Sequence, residues 1–96
     1  MPSANLSNAN LATASVTWAL MLKANLESAN LTGASLWHTV LRDAWLKNAN
    51  LTGANLSYTD LVGANLTGAI LIGVNFCGAI LKEMYSASQG LKRCWY

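Results

Sequence analysis

The sequence predicts an all-β, repetitive fold in which short extended segments are joined by tight turns. Two observations predict it. Every fifth position from Leu6 to Leu81 is large and apolar, and the residue two places before it is Ala except at Thr39, Thr59 and Val74. The positions between are rich in Asn, Ser, Thr and Gly. A period of five fits neither the 3.6 of a helix nor the 2 of a strand. Gly, Asn, Ser and Thr every few residues oppose helices, whereas Asn and Gly tolerate turn conformations.

The sixteen large positions are Leu6, Leu11, Val16, Met21, Leu26, Leu31, Leu36, Leu41, Leu46, Leu51, Leu56, Leu61, Leu66, Leu71, Phe76 and Leu81. They keep phase without interruption over residues 4–83 of the 96. The stretches "ANLTGANL", "ANLESANL" and "AWLKNANLTGANL" resemble the pentapeptide-repeat pattern A(D/N)LXX, in its dense cyanobacterial form. The resemblance implies a right-handed quadrilateral parallel β-helix with four pentapeptides per twenty-residue coil. The central Leu and the residue two before it would point inward and the other three outward. Sixteen repeats would make about four coils across residues 1–83. Stacked at about 4.8 Å, such coils let each amide bond the equivalent position of the next coil. Asn in the outer column can bond nearby backbone or its neighbours above and below.

A twenty-residue coil places residues twenty apart over one another, which sorts the sequence into four faces. Two faces are mostly polar outside: Asn5, Asn25, Trp45 and Asn65 on the first, Asn10, Asn30, Asn50 and Ile70 on the second. The third stacks Trp18, His38, Tyr58 and Gly78, with Trp37 beside His38. The fourth stacks Leu20, Val40, Asp60 and Ile80, then Leu22, Arg42, Val62 and Lys82. Outward aliphatics left wet cost roughly 25 cal/mol per Å², and apolar patches mark interaction sites. Leu20, Leu22, Val40, Val62, Ile80, Trp18, Trp37, His38 and Tyr58 are therefore the candidate partner surface, against the plainer alternative that like residues merely stack. Inside, Thr39 and Thr59 adjoin in one column, so each hydroxyl needs the other or a backbone carbonyl as partner.

A solenoid must cover its ends. The tail "LKEMYSASQGLKRCWY" leaves the repeat; Leu81, Met84, Tyr85 and Ser88 follow helical spacing and Gly90 offers a stop. Residues 84–96 are expected to form a short helical or irregular cap, with an exposed Trp95-Tyr96 as the rival expectation. At the other end, Leu6, Leu11, Val16 and Met21 would form a layer with nothing above it.

Composition narrows the function. The chain is 53% hydrophobic, only 10% charged, and carries net charge +2. Its basic residues form no stripe, which argues against nucleic acid. No apolar run reaches the ~20 residues of a membrane span, and no signal peptide is visible, so a cytoplasmic location is expected. Cys77 and Cys94 form no CxxC, and two free thiols in a reducing compartment are expected rather than a disulfide. One histidine, four acids and two separated cysteines offer no triad and no metal set, and the glycines form no phosphate loop. No catalytic residue, metal or cofactor is expected. The expected function is a non-enzymatic interaction or regulatory module with a protein partner; self-association would be a homodimer through the apolar face or an open end. The alternatives are a DNA-mimic protector of DNA gyrase, as the family resemblance suggests, and a structural piece without activity of its own.

Overall fold

In the computed structural model, which describes residues 3–83, the backbone winds as a ladder of isolated parallel bridges. Each bridge joins residues twenty apart: Asn5 to Asn25, Asn25 to Trp45, Trp45 to Asn65, and likewise on the other three faces. One outward residue per face per coil makes the bridge, so no segment is long enough to count as a regular strand. The expected cap at 84–96 lies outside the described residues.

One repeat shows why the five-residue period closes. Asn25 N–H donates to Ala4 C=O in the coil before, at 2.8 Å, and Leu26 N–H to Trp45 C=O in the coil after, at 2.7 Å. Ser28 N–H also reaches forward, to Lys47 C=O. Ala29 N–H turns back to Leu26 C=O at 3.0 Å, closing a four-residue turn. Glu27 N–H, inside that turn, is taken by the Asn25 Oδ1 at 3.0 Å. All five donors of the repeat are accounted for, as backbone away from bulk water requires. The last of them explains the Asn: it caps the turn locally, an Asx turn, rather than forming a ladder of side chains. Asn5, Asn10, Asn30, Asn50, Asn55, Asn65 and Asn75 repeat the same cap.

The turn's third residue has φ between 55° and 76° throughout, the type II pattern. Eleven of these positions are not glycine, Trp18, His38 and Tyr58 among them.

The interior follows the sequence. Leu26, Leu31, Leu46, Leu51, Leu56, Leu61 and Leu66 are buried, with Ala24, Ala44, Ala49, Ala64 and Ala69 between them. Ala leaves room for Leu in a narrow bore, and each buried Leu contributes about 2 kcal/mol. Thr39 and Thr59 are fully buried, and each hydroxyl donates to a carbonyl of the preceding coil: Thr39 to Val16 and Thr59 to Leu36, both at 2.7 Å. The backbone carbonyl, not the neighbouring threonine, is the partner. Met21 and Phe76, placed near the ends, are buried as well.

Cys77 is disulfide-bonded. This corrects the expectation of free thiols. The missing CxxC spacing says nothing about a bond between positions that the winding of the chain brings together.

Candidate functional site

The winding places Trp18, His38, Tyr58 and Gly78 at the corner between the third and fourth faces. Trp18 and His38 rings lie 4.1 Å apart and 5° from parallel; His38 and Tyr58 lie 5.0 Å apart at 8°. Trp37 stands almost perpendicular to all three, 4.3 Å from His38 and 5.4 Å from Trp18. The column ends at Gly78, where an added Cβ would lie 2.5 Å from the Tyr58 ring. Trp18 and Tyr58 are 66% and 52% exposed, while His38, held between them, is half-buried.

The fourth face continues from this corner. Leu20 and Ile80 are exposed, and Val40, Leu22 and Val62 are half-buried. Leu20, Val40 and Ile80 stand where most repeats have Asn, and their side chains hold no oxygen to cap the following turn. Asp60 keeps that role: one oxygen caps Val62 N–H at 3.0 Å while the other binds Arg42 at 3.0 Å. The structure thus brings all nine candidate residues into one continuous wrap around a single corner. Five of them carry the outermost surface; Leu22, Val40, Val62 and His38 lie deeper.

Three exposed residues outside the candidate set are Trp45, Ile70 and Ile72. Trp45 and Ile70 interrupt Asn columns on the first and second faces, so the break in each column was the available signal. They stand apart from the aromatic corner. Among the described residues no three His, Cys, Asp or Glu side chains gather to hold a metal. None of their helices is long and apolar enough to cross a membrane.

The family model for pentapeptide repeats matches residues 4–44 and 44–82, in eight copies. The chain belongs to the pentapeptide repeat family. Among solved structures it is similar to a pentapeptide repeat protein, Rfr23, from the cyanobacterium Cyanothece 51142, with 36% identity, a TM-score of 0.47, and coverage of 81% of this chain and 56% of that one. It is also similar to a pentapeptide repeat protein of the Arabidopsis thaliana thylakoid lumen, at 28% identity and TM-score 0.55, over 84% and 63% of the two chains. A third is HetL from Nostoc sp. strain PCC 7120, a pentapeptide repeat protein involved in heterocyst differentiation regulation: 32% identity, TM-score 0.43, 85% and 46% coverage. The chain therefore spans about half to two thirds of these relatives' length. No curated protein sequence matches it. Membership makes the ladder the family's right-handed β-helical solenoid.

Proposed function

We propose that this pentapeptide repeat solenoid, about four coils long, is a non-enzymatic interaction module whose partner is a protein that docks on the third-to-fourth corner. One observation carries the proposal: the fourth face gives up the Asx cap for Leu20, Val40 and Ile80 beside a corner that holds aromatics at positive φ. Each lost cap forgoes about 1 kcal/mol of net hydrogen bonding, and Trp or Tyr in the left-handed region adds strain of about 1 kcal/mol or more. Stacking within the corner offsets part of this cost but gives no reason for apolar surface on the adjoining face. Aromatic anchors flanked by aliphatics are what protein interfaces use. Protection of gyrase by DNA mimicry finds no support: the four acids are outnumbered by six basic residues, and Asp60 is already paired with Arg42.

Site-directed photocrosslinking tests the proposal. A photoreactive residue at Trp18 in the source cell should trap a discrete protein partner, and one at Asn65 on the polar first face should not. Equal trapping at both positions, or none at either, overturns it; the second outcome is the one expected of a structural piece without activity of its own.

A further inference from the structure

The two end layers of the solenoid each have a neighbouring coil on one side only, yet their burial differs. At the N-terminal end Leu6, Leu11 and Val16 are only partly buried. At the C-terminal end Leu71, Phe76 and Ala79 are 6%, 1% and 2% exposed. The C-terminal layer is covered, and residues 84–96 are the chain that follows it. Cys77, on the outside of the third face in that last coil, is disulfide-bonded, and the sequence contains one other cysteine, Cys94. Ser57, one rung from Cys77 in the same outward column, is 6% exposed although Trp37 in that column is 37% exposed.

We propose that Cys77 and Cys94 form one disulfide that straps residues 84–96 across the C-terminal end of the solenoid, closing it until the bond is reduced. The eleven residues from Met84 to Cys94 extend up to about 36 Å, enough to cross the end of one coil. The bond fixes the far end of that crossing on the third face. A disulfide of this kind persists in oxidising compartments and is rare in the cytosol. Closure oxidises two thiols; the two electrons and two protons pass to a small-molecule disulfide, which leaves as two thiols. Opening is the reverse: a dithiol such as dithiothreitol supplies two electrons and two protons, gives each cysteine its S–H, and becomes a cyclic disulfide. The strap is independent of the partner surface proposed above and stands or falls without it.

The full-length protein decides the matter. Trypsin cuts after Lys47, Lys82 and Arg93, so a non-reducing digest should contain peptide 48–82 joined to Cys94-Trp95-Tyr96, separating on reduction. Alkylation of both thiols in the unreduced, unfolded protein, or a covalent dimer, overturns the pairing. Hydrogen exchange tests the closure. Reduction should speed exchange at the last-coil amides of Asn75 and Ile80 roughly tenfold or more, leaving Asn30 and Leu31 unchanged. Cys94→Ser should exchange like the reduced wild type and ignore dithiothreitol. Exchange at Asn75 and Ile80 that reduction leaves untouched, or that rises equally throughout, overturns the strap; reduced wild type gives this answer even if the variant fails to fold.

Discussion

Two corners of the same solenoid make the most instructive comparison. The corner between the second and third faces carries Thr13, Gly33, Gly53 and Gly73; the next carries Trp18, His38, Tyr58 and Gly78. The backbone asks the same of both, a positive φ: 66° and 68° at Gly33 and Gly53, 59° at His38 and Tyr58. Glycine meets that demand without strain. Aromatic residues meet it only at a cost, offset in part by ring stacking and by the two threonine hydroxyls, which the structure places under this corner. Backbone geometry thus explains the glycine corner fully and leaves the aromatic corner in need of another reason, which an interface supplies.

Loading the end of the aromatic column should break it most severely. Gly78→Ala forces a Cβ to within 2.5 Å of the Tyr58 ring. The ring must swing off His38, so the loss combines left-handed strain with one stacked pair, about 2 kcal/mol in all. Thermal unfolding should show Tm lower by roughly 10 °C. Gly53→Ala makes the matching test at the glycine corner. Nothing lies within 4 Å of its added Cβ, so strain acts alone, and about 1 kcal/mol or roughly 5 °C is expected. Equal losses would mean that the Tyr58 ring moves freely and the stack contributes nothing.

The hydroxyls beneath the aromatic corner come next. Thr59→Val keeps the shape and removes the donor to Leu36 C=O, a carbonyl that still accepts Thr39 N–H at 3.1 Å. No buried acceptor is orphaned, so the cost should stay near 1 kcal/mol and show in the denaturant midpoint at constant m. A loss of about 3 kcal/mol or more would mean that the carbonyl needs both donors.

These residues also mark where the sequence was legible. The period of five and the unbroken Leu and Ala columns put the interior within reach, because a narrow bore admits few side-chain sizes. The threonine pair was equally visible, as two hydroxyls in an apolar column demand a partner; only the geometry chose Val16 and Leu36. The columns twenty apart brought Trp18, His38 and Tyr58 together before any coordinates did. Two things were not legible. The outward Asn could cap its own turn or bond along its column, and the turn's unsatisfied N–H decided between them. The Cys77 bond joins distant positions, and no local pattern encodes such a contact. The depth of Leu22 and Val62 was likewise hidden, since outward columns say nothing of how far neighbouring side chains fold over them.

Tyr58→Gly sharpens the comparison most, through a small effect. It rebuilds the aromatic corner in the image of the glycine corner at one rung. The stacked contact with His38 and the edge contact with Trp37 are lost, worth about 1 kcal/mol. The left-handed strain at φ 59° is relieved by a similar amount, about 1 kcal/mol, while glycine adds freedom to the unfolded chain worth roughly 0.5–1 kcal/mol. The net change in stability should lie within about 1 kcal/mol of zero, a shift of a few degrees in Tm. Partner capture should fall much further if Tyr58 is an interface anchor, since such residues carry about 2 kcal/mol or more. A solenoid that keeps its Tm and loses its crosslink from Trp18 would separate surface from scaffold at one residue. One that melts as early as Gly78→Ala would show that the rings hold the corner together, and the interface would lose its strongest argument.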